Sequence, residues 1–412
     1  IADFTRAIQL DPGKDDAWHA RAQIRSEFGD LEGAFQDISM ALKLRPKVPD
    51  YLITYANIMR LSRAVDQAIR TLTDAIQLAP EYASIYIYRG ECLLENGDLP
   101  QAYQDFSQAI QLEPENSAAF HGRALVLQEL GDEERALQDF ATAIKIDPQL
   151  TDAMEDMAKL LCRMGNHDEA MELLNRAISI QPDDARFWIS RGSLKRQMGL
   201  TEAAAADFTH AVKLDPHTPE AWFARAFARE LLGDLENALN DYNHFQQFFP
   251  NDPHLLHNRG CLYYAMHRWE ESLEDLESFC SQTPLSHPSR LYIEVRIFFI
   301  HLRCGRDNLA HKRLREFFQA YRESPYRNLW GYTILAYLLG KVSERHLIQR
   351  ATRLAKEGMK TTRPEAYYHI ATMALIRGDE HKARQYFLRC IQLNVENHVP
   401  SITARLELRY LN

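Results

Sequence analysis

Reactive chemistry is sparse in this 412-residue chain. Its six cysteines (Cys92, Cys162, Cys261, Cys280, Cys304 and Cys390) are scattered, with no C-x-x-C pair. That spacing argues against a disulfide framework and fits buried thiols in a reducing compartment. No glycine-rich phosphate loop, nucleophile elbow or H-E-x-x-H motif occurs, so neither a cofactor nor a catalytic residue is expected and the chain reads as a non-enzyme. His254, His257 and Cys261 share one helical face, but nothing nominates a fourth ligand, and no metal is expected. No apolar run reaches the roughly 18 residues of a membrane span. The densest, Ile293 to Leu302, is broken by Glu294, Arg296 and His301.

What the chain does have is ordinary globular composition, 46% apolar and 25% charged, with an uneven distribution of charge. Residues 287–412 hold 22 Lys and Arg against 11 Asp and Glu, a surplus of +11. Residues 1–286 hold 26 against 46, or −20, and the two halves give the net −9. Such a dipolar chain suggests an interaction surface at one end.

Prolines mark a ruler. Pro12, Pro46, Pro80, Pro114, Pro148, Pro182, Pro216, Pro250 and Pro284 are each 34 residues apart. Proline lacks an N–H and clashes with the preceding helical turn, so each ends a helix. A fixed period of this length is the signature of stacked units, none of which buries its apolar face alone.

The unit at 83–116 carries Tyr86, Gly90, Ala102, Phe106, Ala109 and Pro114 at its fourth, eighth, twentieth, twenty-fourth, twenty-seventh and thirty-second places. In this it resembles the tetratricopeptide repeat. The resemblance implies an all-α fold, a right-handed superhelical solenoid of antiparallel helix pairs. It spans eight regular units over 15–286, preceded at 1–14 by the second half of a truncated repeat, so the native protein is expected to extend upstream. Small residues recur at the eighth place (Ala22, Ala56, Gly90, Ala124) and the twentieth (Ala34, Ala68, Ala102, Ala136), where they let two helices approach closely. Gly29-Asp30, Gly97-Asp98, Gly131-Asp132 and Gly233-Asp234 supply a left-handed helix stop followed by an N-cap.

A further regularity concerns charge. Six units pair Arg at the seventh place with Asp at the twenty-third: Arg21 and Asp37, Arg89 and Asp105, Arg123 and Asp139, Arg191 and Asp207, Arg225 and Asp241, Arg259 and Asp275. The other two lose both partners together, as Tyr55 with Thr71 and Met157 with Leu173. Joint loss predicts structural ion pairs within each unit.

Beyond Pro284 the register slips. Two divergent helical pairs are expected over 287–363, a further repeat over 364–397 (Tyr367, Ala371, Gly378, Ala383, Phe387) and a capping helix over 398–412. This last quarter is similar to the C-terminal unit and cap of bacterial tetratricopeptide adaptor lipoproteins. It is basic and locally aromatic, with Arg303, Arg306, Lys312, Arg313, Arg315, Arg322 and Arg327 near Tyr321, Tyr326 and Trp330. Three uses are weighed for it: capping the array, self-association through the acidic half of another copy, and nucleic-acid binding, the last least favoured.

The resemblance also implies a groove lined by the first helices. Places two, five, nine and twelve share one face, and Ile87, Leu94, His121, Leu125, Arg186, Arg196, Phe223, Phe227, His257 and Tyr264 are the expected partner-binding residues. Phe223, Phe227 and Tyr264 form the expected aromatic anchor. The family's carboxylate clamp for chaperone tails needs Lys at place five, which instead holds His19, Ile53, Ile87, His121, Glu155, Ile189, Phe223 and His257. The expected function is a non-catalytic scaffold or adaptor that binds a protein or peptide. The alternatives are a cell-envelope adaptor lipoprotein and the regulatory arm of an enzyme truncated upstream. A cytoplasmic setting is expected, or an envelope one should a signal precede residue 1.

Overall fold

A computed structural model describes residues 1–324, 329–393 and 399–411; Tyr326, Arg327 and the end of the expected 364–397 unit lie outside them. The described residues form helices and turns, with no strand. They divide into two compact units, Ile1–Ser190 and Arg191–Asn412.

The first unit holds α1 (Ala2–Leu10), α2 (Asp15–Glu27), α3 (Leu31–Leu44), α4 (Pro49–Leu61), α5 (Val65–Leu78) and α6 (Ala83–Glu95). It continues through α7 (Leu99–Leu112), α8 (Ser117–Glu129), α9 (Glu133–Ile146), α10 (Thr151–Met164) and α11 (His167–Ile180). The boundary falls inside α12 (Ala185–Gln197). The second unit then runs through α13 (Thr201–Leu214), α14 (Pro219–Leu232), α15 (Leu235–Gln246), α16 (Pro253–Ala265), α17 (Trp269–Gln282) and α18 (Arg290–Arg303). It ends with α19 (Asp307–Glu323), α20 (Leu329–Leu338), α21 (Glu344–Lys356), α22 (Thr362–Ile376), α23 (Glu380–Gln392) and α24 (Val399–Tyr410). Consecutive helices pack as antiparallel pairs, and in the first unit the first helices α2, α4, α6 and α8 also touch one another in series.

Local chemistry sets these boundaries. The residue before a register proline is forced out of the helical region: Arg45 has φ −137° and ψ 89°, Glu113 −132° and 86°, Asp215 −136° and 97°. Each therefore closes a helix. Between the two helices of a pair, Gly97 (φ 80°) and its counterparts adopt the left-handed conformation. At the same register position two pairs carry Arg63 (φ 66°) and His267 (φ 58°), which bear that conformation with a Cβ. Asp30, Asp98 and Asp132 then cap the second helix, accepting the N–H of Gly33, Gln101 and Arg135. Asp234 makes no such bond; its carboxylate accepts the side-chain amide of Asn237 instead.

The pairs close on small residues. Ala22, Ala34, Ala56, Ala68, Ala102, Ala124 and Ala136 are fully buried. Phe106 lies between two glycines: a Cβ on Gly122 would fall 2.2 Å from its ring, and one on Gly90 2.9 Å. Ser272, standing where other units have alanine, donates its hydroxyl to the Gly260 carbonyl at 2.7 Å. Where the fourth place carries Trp or Tyr, its side chain ties the unit to the preceding proline turn. The indoles of Trp18 and Trp222 donate to the carbonyls of Pro12 and Pro216 at 3.0 and 2.9 Å, and the Tyr86 hydroxyl donates to Pro80 at 3.0 Å.

Candidate partner-binding face

Each of the six arginines reaches its aspartate in a two-pronged geometry 16 residues along the chain. In the first unit, Arg21 Nε and Nη2 meet Asp37 at 2.7 Å each, Arg89 meets Asp105 at 2.7 Å twice, and Arg123 meets Asp139 at 2.7 and 2.9 Å. In the second, Arg191 meets Asp207 at 2.9 and 2.8 Å, Arg225 meets Asp241 at 2.8 and 2.7 Å, and Arg259 meets Asp275 at 2.8 Å twice. The pronged match of guanidinium to carboxylate is the strong form of the interaction. Nη1 turns the other way, to the second helix of the preceding pair: Thr5 for Arg21 (2.9 Å), Thr73 for Arg89 (3.2 Å), Asn243 for Arg259 (3.2 Å). One side chain thus fastens three helices. It also lies over the fourth-place ring, as Arg21 does over Trp18 at 5.0 Å and Arg225 over Trp222 at 4.8 Å. In one of the two units that lack the pair, Met157 and Leu173 pack against the local apolar cluster instead.

On the first-helix face of the first unit, polar side chains pair with one another. His19 bonds Thr54 (2.8 Å), His121 bonds Asp156 (2.9 Å) and Ser190 donates to Glu155 (2.6 Å), each step being 35 residues, from place five to place six of the next first helix. Arg60 reaches Glu95 across the same 35 residues, from place twelve to place thirteen. Arg186 is exposed but held by Asp184 (2.7 Å) and Asp152 (3.0 Å). Leu94 and Leu125 are half-buried. Ile87 keeps only 6% of its surface and packs in a core cluster with Ala83, Phe106 and Ala119, which removes it from the lining.

The second unit is different. Phe223 and Phe227 on α14 and His257 on α16 are all half-buried. Phe223 sets its ring against Tyr242 and Phe245 at 5.5 and 5.0 Å, and the Arg196 guanidinium lies over Phe227 at 5.4 Å. His257 packs on Phe279 at 5.4 Å. Burial, followed by the nearby Arg296 charge, pushes its imidazole down to about 4, so it is neutral near pH 7. Burial pushes Glu230 of α14 up to about 7, against the pull of a Tyr242 hydroxyl bond (3.2 Å) and of Arg296.

Tyr264 does not join Phe223 and Phe227 as an anchor. It is 1% exposed, edge-on to Trp269 at 5.4 Å, with Arg296 and Arg303 over its ring at 5.8 and 5.9 Å. The cause is the chain's end. Helix α18 touches α16 and α22, and α24 returns to touch both α16 and α22, so this end of the first-helix face is covered.

Three arginines of the basic cluster are consumed inside the chain. Arg303 binds Glu407 of α24 at 2.6 Å, Arg306 binds Glu270, and Arg313 binds Glu277 and Glu294 (2.9 Å to the latter). Glu270 and Glu277 belong to α17, so basic α18–α19 docks on an acidic helix of its own chain. Self-association thereby loses its charge basis, as does a nucleic-acid surface built on these arginines. Lys312 and Arg315 remain exposed. Among the described residues no three His, Cys, Asp or Glu side chains gather into a metal site, and no helix is long and apolar enough to cross a membrane. His254 and Cys261 therefore do not assemble with His257 as a ligand set; Cys261 faces Arg296 instead.

Family models for the tetratricopeptide repeat match residues 83–116, 127–194, 189–253 and 364–396. The chain belongs to the tetratricopeptide repeat family. Among solved structures it is similar to a tetratricopeptide repeat protein from Parabacteroides merdae ATCC 43184, at 22% identity and a TM-score of 0.45, over 57% of this chain and 92% of that one. It is also similar to Pseudomonas aeruginosa pilF, at 20% identity and a TM-score of 0.43, over 50% and 94% of the two chains. A third is YrrB, described as a TPR protein with an unusual peptide-binding site, at 20% identity and a TM-score of 0.35, over 46% and 97%.

Proposed function

We propose that the chain is a non-catalytic scaffold that binds a protein or peptide on the first-helix face of its second unit, around Arg196, Phe223, Phe227 and His257. The observation that carries this reading is the state of the two phenylalanines. The aromatic residues of the twenty-fourth place, Phe106, Phe140, Phe208 and Tyr242, are fully buried, whereas Phe223 and Phe227, one helical turn apart on α14, are only half-buried. Partly open aromatic surface beside a guanidinium is the composition of a binding hot spot. The first unit supports the contrast, since its corresponding polar side chains pair with each other in 35-residue steps.

The test is selection of binders from a displayed peptide library on the whole chain. Peptides that bind the native chain are expected to lose about 10-fold or more in affinity to the Phe223→Ala/Phe227→Ala variant, since loss of a hot-spot side chain costs roughly 2 kcal/mol or more. The same peptides are expected to bind the exposed-surface variant Lys312→Ala equally well. Binding indifferent to the two phenylalanines would remove this face as the site.

A further inference from the structure

Helix α18 directs two arginines seven residues apart, Arg296 and Arg303, toward the Tyr264 ring of α16. Their fates differ. Arg303 is neutralised by Glu407 of the terminal helix at 2.6 Å. Arg296 is partly buried and donates to the Cys261 sulfur; no carboxylate lies within 4.0 Å of it among the described residues. A thiol is a weak acceptor, and burial pushes Cys261 up to about 11, so it brings no negative charge. Glu230, the carboxylate whose field is felt at Arg296, is bonded to Tyr242 and is itself raised to about 7. A guanidinium withdrawn from water without a counter-charge is expensive, and its planar fork fits a carboxylate with two parallel bonds.

Its position adds direction. Arg296 is close to Glu230 of α14 and His257 of α16, and close also to Tyr264 and Tyr368, which are buried where α22 and α24 close on α16. The guanidinium stands where the open face stops. A chain lying along that face ends there.

We propose that Arg296 receives the C-terminal carboxylate of the peptide bound along α14 and α16. This rests on the groove reading above and deepens it by specifying a free chain terminus as the recognised chemistry. It is separate from the carboxylate clamp excluded by the sequence, because Arg296 belongs to the divergent helix that follows the last regular unit.

Two synthetic peptide arrays test this on the whole chain: one of free-acid hexapeptides and an identical one ending in amides. The tightest free-acid binders are expected to weaken roughly 10- to 100-fold on amidation, the range for a hydrogen bond to a charged group. They should weaken by a similar factor on Arg296→Gln, with amidation having no further effect in that variant. Arg296→Lys, which keeps the charge and loses the fork, should retain a smaller preference for the free acid and guards against a folding artefact. Peptides that bind through Phe223 and Phe227 but ignore amidation and Arg296→Gln would overturn this inference while leaving the groove intact. Absence of binding from both arrays would overturn the groove reading and this inference together.

Discussion

Arg123 and Asp139 form a two-pronged ion pair at 2.7 and 2.9 Å, and 34 residues further on the same two places hold Met157 and Leu173. Neighbouring units of one stack therefore solve the same packing problem with an ion pair and with an apolar contact. That equivalence is what the energetics of buried pairs leads one to expect, because desolvation offsets most of the Coulomb gain.

The first prediction follows from it. Asp139→Ala leaves a partly buried guanidinium unpaired and is expected to cost roughly 2–4 kcal/mol, between the exposed and buried limits. Arg123→Met/Asp139→Leu, copying the next unit, should recover to within about 1 kcal/mol of the native chain. Stability in a repeat array is partly local, so hydrogen exchange of α8 and α9 is the suitable readout. A double variant no more protected than the single one would contradict the equivalence.

Arg63 supplies a second prediction. It is exposed and sits at φ 66° in the register position where other turns carry glycine. Arg63→Gly relieves a left-handed strain of about 1–2 kcal/mol and adds about 0.5–1 kcal/mol of unfolded-chain entropy. The net expectation is stabilisation of up to about 1 kcal/mol, seen as slower exchange in α4 and α5. A loss of protection would show that the arginine side chain matters more than its backbone.

Overpacking gives a third. A methyl at Gly122 would sit 2.2 Å from the Phe106 ring, which is fully buried and already faces Gly90. Gly122→Ala is expected to destabilise the α7–α8 contact by about 1–3 kcal/mol despite alanine's better helix propensity. Adding Phe106→Leu should restore part of the loss, as read by urea denaturation.

A fourth concerns pH. Glu230 titrates near 7 in the folded chain against 4.5 for an unperturbed side chain. The folded state then holds the proton more tightly, so this group makes stability fall as pH rises from about 4.5 to 7. His257, depressed to about 4 from 6.5, acts in the opposite sense, its contribution being present above 6.5 and lost as pH falls toward 4. Glu230→Gln should remove the first effect alone and raise stability at pH 8 by an amount on the order of 2 kcal/mol relative to pH 5. Chemical denaturation at the two pH values checks this; equal gains at both would show that Glu230 is not ionised with difficulty.

Much of the scaffold was legible because its determinants are local or strictly periodic. A proline acts on the backbone just before it, as the extended Arg45 and Glu113 show. An arginine and an aspartate 16 residues apart face each other whenever two helices are joined by the same turn, so their joint absence in two units could be read without coordinates. The 35-residue ladder was less visible. His19 with Thr54 and His121 with Asp156 pair different residue types, and only the offset between successive first helices makes their columns meet.

Tertiary structure alone decided the rest, all of it involving the segment where the period fails. Phe227 and Tyr264 both occupy places of the first-helix face, nine and twelve, yet one is half-buried and the other sealed, because α24 returns across α16 and has no counterpart in the repeats. The basic surplus after residue 287 looked like a surface for a foreign partner; folding spends Arg303, Arg306 and Arg313 on Glu407, Glu270 and Glu277. Periodic sequence determines neighbours at a fixed spacing. Contacts such as Arg303 with Glu407, 104 residues apart, depend on where the chain's path turns back, and that is set by the summed packing of many helices.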